Sequence, residues 1–231
     1  MTAADEAARA AIEALTPARI VKLILAGLGA TAVLGMTAEA IQSGLEYRRL
    51  IGDPIYQGSG VPRSDGRRVL VIPGFLGSDR YLNTLREWLA RIGYAPVASG
   101  LRRNTGFNER LLGQLEECTL NAVRESGRPI AIVGHSLGGI YARAIARRHP
   151  ETVDRILTLG SPLKVDAGPI NPTIRFTAIF SRKDRIVRYP RALATEAGVP
   201  NLEVTGCHCG MAFNTEVFRA IGEFLAPPLT A

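Results

Sequence analysis

Between Ile130 and His149 the chain reads Ile-Ala-Ile-Val-Gly-His-Ser-Leu-Gly-Gly-Ile-Tyr-Ala-Arg-Ala-Ile-Ala-Arg-Arg-His. A short apolar run of β type, Ile130 to Val133, meets Gly134-His135-Ser136-Leu137-Gly138. Apolar residues at helical spacing follow, at Ile140, Tyr141, Ala144 and Ile145. Strand, sharp turn and helix are thus joined with a serine at the apex. So tight a turn strains its central residue, and the positions two before and two after it must lack bulk, which Gly134 and Gly138 do. The turn lifts the Ser136 hydroxyl above the sheet edge, and the helix behind it aims unpaired N–H groups at the same place. The pentapeptide alone could arise by chance. Its strand-and-helix context gives it the reading of a nucleophile elbow.

A chain of 231 residues can bury a substantial core, and one domain is the default. The net charge of +7 raises nucleic acid or an anionic membrane as partners. The arginines, however, come in ones and twos (Arg48-Arg49, Arg67-Arg68, Arg102-Arg103, Arg147-Arg148), with no aromatic residues interleaved. A solvated basic surface and no nucleic-acid partner are therefore expected. Three cysteines make no disulfide framework, and Cys207 and Cys209 lack further ligands at zinc spacing, so neither a metal nor a cofactor is expected.

The N-terminal 49 residues read as a helical arm. Its stretch Ile20 to Met36 is the most apolar of the chain, with sixteen uncharged residues between Lys22 and Glu39. As a helix that covers about 24 Å, short of the roughly 30 Å hydrocarbon core. A signal peptide, a membrane anchor or interfacial helix, and a helix packed on protein or on a second copy all compete; three internal glycines favour packing. A cytoplasmic location is expected, with membrane attachment through this helix or secretion as the alternatives. A connector rich in Gly, Pro, Ser and Asp lies within 47–66, and residues 50–66 are assigned to it ahead of a main domain over 67–231.

In the main domain apolar strands alternate with amphipathic helices. Strands are expected at 68–72, 94–98, 130–133, 155–159, 174–181 and 201–205, and helices at 79–92, 108–126, 139–149 and 212–225. Continuous apolar strands separated by helices mean a mostly parallel α/β sheet covered on both faces, with chemistry in the loops after the strands' carboxyl ends.

A serine hydroxyl needs a base oriented by a third group. Of the three histidines, His135 adjoins the serine and is expected to be structural, and His149 precedes Pro150 as a helix cap. His208, in the loop after the last strand, is the candidate base. Asp184, just past a strand end, is the candidate orienting acid, ahead of Asp166; Asp154 lies at the wrong edge. The bland reading of Asp184 is an ion pair with Arg182, Lys183 or Arg185. Two donors for a developing oxyanion are expected from the backbone N–H of Leu137 and of Phe75, with Leu76 as second choice to Phe75.

Val69-Leu-Val-Ile-Pro-Gly-Phe-Leu-Gly77, Gly134-His-Ser-Leu-Gly138, Thr158-Leu-Gly-Ser-Pro162, Asp184 and His208 occur in the order Ser–Asp–His. This pattern resembles the α/β-hydrolase superfamily, and within it the bacterial lipase and esterase branch, as does the Asn104-Thr105-Gly106 loop. Pro73-Gly74 stands where members of that branch often have His-Gly. The likeness covers about residues 67–227. It implies an α/β-hydrolase core of about six parallel strands, beginning at the family's third strand. Between Pro162 and Ile174 lie only eleven residues, too few for the cap domain that many relatives insert.

The function expected is hydrolysis of carboxylic esters, of esterase or lipase type, through an acyl-enzyme on Ser136. The substrate would be a small-molecule or lipid ester, with residues 20–36 as a surface for membrane contact or self-association. Acyl transfer, or hydrolysis of thioesters, amides or a polyester, would use the same residues. A non-catalytic membrane-associated binding protein is the reading from another class.

Overall fold

Side chains of successive residues in a strand point to opposite faces, so an apolar run such as Val69-Leu-Val-Ile72 cannot lie on a surface; it needs cover on both sides. The computed structural model, which describes residues 32–166 and 168–226, supplies that cover. Six strands form one wholly parallel sheet: β1 (Arg68–Ile72), β2 (Ala95–Ala98), β3 (Ile130–His135), β4 (Val153–Leu159), β5 (Arg175–Phe180) and β6 (Asn201–Glu203). Their order is β2-β1-β3-β4-β5-β6. Among the described residues the α-helices are α1 (Ala32–Gly52), α2 (Asn83–Arg91), α3 (Glu109–Ser126), α4 (Leu137–Arg148), the short α5 (Tyr189–Ala192) and α6 (Thr215–Leu225).

The alternation sorts the core into two layers. Leu70, Ile72, Ile130, Ile132, Ile156 and Ala178 face α3 and α4, meeting Leu112, Leu115, Ile140 and Tyr141. Val69, Val71, Ala131, Val133, Leu157 and Ile179 face the other way, onto Leu50 of α1, Trp88 of α2 and Phe218 and Ile221 of α6. Both layers are almost wholly dry. At roughly 1.5–3 kcal/mol for each fully buried large apolar side chain, these two layers are the main force holding the sheet between its helices.

The expected strands and helices are present, with shifted ends. The first helix after β1 begins at Asn83 and not at Asp79, because Asp79 is used elsewhere: its Oδ1 accepts from the Ser99 N–H and hydroxyl, and its N–H donates to Leu101 O. The last helix starts at Thr215, where Asn214 Oδ1 caps the N–H groups of Glu216 and Val217. Helix α1 runs on to Gly52, through the first residues of the stretch whose composition suggests a connector, and a 3-10 turn at Pro54–Gln57 follows. It lies against the segment Cys209–Phe213 and α6. Residues 1–31, and with them most of the apolar stretch 20–36, lie outside the described residues. Among the described residues no helix is long and apolar enough to cross a membrane. Between β4 and β5 the chain makes a 3-10 turn, Leu163–Val165, among the described residues of that loop.

Candidate active site

Ser136 ends β3 and begins α4 with φ 52° and ψ −121°, a backbone conformation that L-residues avoid. The strain is sustained because neighbours leave no alternative. A Cβ on Gly134 would lie 2.5 Å from the backbone of Gly138 and Gly139, and one on Gly138 would lie 2.2 Å from Ile72 O. A Cβ on Gly139, a glycine outside the five-residue motif, would meet Ser161 Oγ at 2.1 Å. The glycines therefore let α4 pack directly onto β1, β3 and the β4–β5 loop. Such held strain is common at reactive positions.

Two further loops at the carboxyl edge converge here. His208 follows β6 and Asp184 follows β5, and the imidazole Nδ1–H donates to Asp184 Oδ2 at 2.6 Å with both side chains buried. Among the described residues Asp184 makes no ion pair with Arg182, Lys183 or Arg185. Its other oxygen, Oδ1, accepts from the N–H groups of Ile186 (2.8 Å) and Val187 (2.7 Å), which fixes the carboxylate's direction. Nδ1 being committed, Nε2 is the nitrogen that neutral His208 offers as a base. Gly160 sits against both groups; a Cβ there would lie 3.0 Å from Asp184 Oδ2 and 3.2 Å from His208 Nδ1. The runner-up, Asp166, is engaged by Arg143 and Arg147, and Asp154 by Arg67 and Arg155.

His135 does more than fill the turn. Its Nε2–H donates to the His208 carbonyl at 3.0 Å, and the two rings lie 4.9 Å apart between centroids. The residue beside Ser136 thus touches His208 itself, so the serine turn and the His208 loop adjoin. Burial first, then the proximity of His208, pulls the His135 ring down to about 3, so it stays neutral and serves as a donor.

The loop after β1 presses on the same serine. A Cβ on Gly74 would lie 2.8 Å from Ser136 Cβ. Among the described residues Leu76 is the other non-glycine residue with positive φ (59°). Its N–H donates to Asn104 O at 2.7 Å, which removes it as an oxyanion donor. Asn104, fully buried, ties this loop at two more points: its N–H donates to Gly77 O, and its Nδ2 donates to Pro73 O. Among the described residues the Phe75 N–H has no acceptor. The Leu137 N–H, first in α4, has none within its helix.

Some of the support was not anticipated from sequence. Glu39 and Glu46 of α1 are buried against the His208 loop, and Tyr81 OH donates to Cys209 O. The available signal was helical spacing: residues seven apart share one helix face, yet acids on a helix read by default as solvated. Among the described residues no group of three or more His, Cys, Asp or Glu is placed to hold a metal ion.

A family model described as the PGAP1-like alpha/beta domain matches residues 111–208. No curated protein matches the chain. Solved structures do. A pyrethroid hydrolase from Sphingobium faniae JZ-2 is 13% identical with a TM-score of 0.54, the match covering 67% of this chain and 95% of that one. A YdeN-like hydrolase from Pectobacterium atrosepticum is 14% identical with a TM-score of 0.53, over 79% and 96%. The monoacylglycerol lipase of Paleococcus ferrophilus is 12% identical with a TM-score of 0.51, over 70% and 94%. Identities at this level show the fold alone, and the fold is that of the α/β hydrolases.

Proposed function

We propose that this chain is a serine hydrolase that cleaves carboxylic esters, of small molecules or lipids, through an acyl-enzyme on Ser136. The observation that carries the reading is the 2.6 Å bond from His208 to a carboxylate already fixed by two backbone N–H groups, on loops adjoining a serine held at φ 52°. In this reading His208 Nε2 takes the Ser136 proton as Oγ attacks the ester carbonyl. The Phe75 and Leu137 N–H groups hold the oxyanion of the tetrahedral intermediate, which is where fixed donors act most strongly. Collapse breaks the ester C–O bond. The departing alkoxide takes the proton back from His208, and water, activated by the same nitrogen, releases the acid. Asp184 steadies the imidazolium throughout.

Two further features favour esters. The β4–β5 loop is too short to build a cap domain over the serine, and Leu76, half exposed beside the site, offers an apolar rim. Two neighbours in fold are named as a pyrethroid hydrolase and a monoacylglycerol lipase.

The reading is tested by p-nitrophenyl ester hydrolysis and by labelling with a fluorophosphonate. Wild-type protein is expected to turn over and to be labelled at Ser136. Ser136→Ala is expected to lose at least about 10⁴-fold in kcat, with its thermal unfolding preserved. Retention of most activity in that variant, or labelling elsewhere, would overturn the assignment.

A further inference from the structure

The loop that carries His208 is gripped from two sides. From the body of the protein, Ser181 Oγ donates to Gly206 O, His135 Nε2 to His208 O and Tyr81 OH to Cys209 O. These bonds hold the loop's carbonyls. Its N–H groups are held by helix α1. The Cys207 N–H donates to Glu46 Oε1 at 3.2 Å and the Cys209 N–H to Glu39 Oε2 at 3.1 Å, so the residues on either side of His208 each rest on a buried carboxylate. The other oxygen of Glu46 accepts from Asn214 Nδ2 at 2.9 Å, and the same Nδ2 donates to Thr205 O. Asn214 thereby closes the loop at both ends.

The loop is shaped to receive Glu46. A Cβ on Gly206 would lie 2.7 Å from Glu46 Oε1, and one on Gly210 would lie 2.7 Å from Glu46 Cδ. Side chains at either position would expel the carboxylate. A helix that merely covered apolar surface would not bury acids against backbone donors, since burying a charge is costly unless it is well bonded.

We propose that Glu46 and Glu39 are positioning residues for His208, which makes helix α1 a working part of the active site. The proposal rests on the reading of His208 as the base. A displacement of about 1 Å in a catalytic group can cost about 100-fold in rate, and these carboxylates set the backbone on both sides of that group.

The test measures kcat, KM and the far-downfield proton resonance of the Nδ1–H that His208 shares with Asp184, in the full chain. Glu46 serves two donors with two oxygens. Asn214 cannot turn its amide to compensate, because its Oδ1 already accepts from Glu216 and Val217. Glu46→Gln is therefore expected to lower kcat about tenfold or more with KM within about twofold, and to shift or broaden the resonance. The Glu39 carboxylate accepts from the Cys209 N–H, so Glu39→Ala is expected to behave likewise, while Glu39→Gln keeps an acceptor and restores most of kcat. Ile41→Ala, on the exposed face of the same helix, is expected to change neither readout.

Folded Glu46→Gln and Glu39→Ala proteins with wild-type kcat and an unmoved resonance would overturn the proposal, as would Glu39→Gln behaving no better than Glu39→Ala. If Glu46→Gln does not fold, the two Glu39 variants decide alone. A wild-type protein that is never labelled at Ser136 would count against the esterase reading and not against this one, because the resonance requires no turnover and still reports on the His208–Asp184 geometry.

Discussion

Burial alone would depress the His208 imidazole, but the charge of Asp184 and its hydrogen bond, and then the charge of Glu39, outweigh burial and hold the ring above its ordinary 6.5. Only the neutral ring can accept the serine proton. On the proposed mechanism kcat/KM should therefore rise with pH through a value above 6.5 and level off beyond it. In Asp184→Asn the two strongest upward influences are gone and burial dominates. The rise should move below 6.5, while kcat falls by about 10⁴-fold. Rates on a soluble p-nitrophenyl ester over roughly pH 5 to 9 decide the point, and an unmoved rise in the variant would count against Asp184 as the orienting group. Chain order made these candidates legible, since Ser136, Asp184 and His208 each follow a strand and ligands gather at that edge. The groups that hold them were not legible. His135, Tyr81, Asn104 and Glu46 act through single backbone atoms of distant loops, and no spacing in the chain encodes which carbonyl or N–H a side chain will meet.

At the level of elements, period and composition carried the sheet and its helices well, because burial on both faces forces continuous apolar strands. The ends moved wherever a side chain competed for backbone groups, as Asp79 does before α2 and Asn214 before α6. The tie between α4 and the loop after β4 had no sequence signal at all. Arg143, almost fully buried on α4, donates from Nε to Asp166 Oδ2 at 2.8 Å and from Nη2 to the carbonyls of Asp166 and Gly168, and it pairs with Glu196. Its guanidinium thus stands where an apolar residue of a helix facing the sheet would be expected, and it anchors the loop that starts at Gly160 beside Asp184 and His208. Arg143→Met should cost about 3–5 kcal/mol, since it strands Asp166 with Arg147 as its remaining ion-pair partner. That corresponds to a melting temperature lower by about 10 °C. Adding Asp166→Leu should deepen the loss, because it also takes the carboxylate partner from the buried Arg147. A double variant at least as stable as the single one would argue that the loop's shape, and not the charge, is what Arg143 supplies.

For the whole molecule, the division between an N-terminal arm and a catalytic body dissolves at α1. Leu50, with no exposed surface, is part of the core layer that includes Trp88, Val133 and Phe218, and Tyr47 packs edge-on against Phe213, which packs edge-on against Tyr81. The opposite face of the helix stays apolar and exposed at Ile41 (63%) and Leu45 (50%). One helix therefore joins the core, the His208 loop and an open apolar surface. Its C-terminal half is inseparable from the fold, because losing Leu50 opens a core void costing about 2–5 kcal/mol and losing Glu46 leaves the Cys207 N–H and Asn214 Nδ2 without it. A chain beginning at residue 53 should lose both cooperative unfolding and ester hydrolysis. A chain beginning at residue 32 retains Glu39, Glu46 and Leu50, and it should keep kcat on a soluble ester within about threefold of the full chain. The comparison separates what holds the site from what meets the substrate. If the shorter chain beginning at 53 folds and turns over normally, α1 is an attachment after all. If the chain beginning at 32 keeps its rate on p-nitrophenyl acetate but loses it on long-chain esters presented in vesicles, the apolar residues 20–31 serve delivery of the substrate and not the chemistry at Ser136.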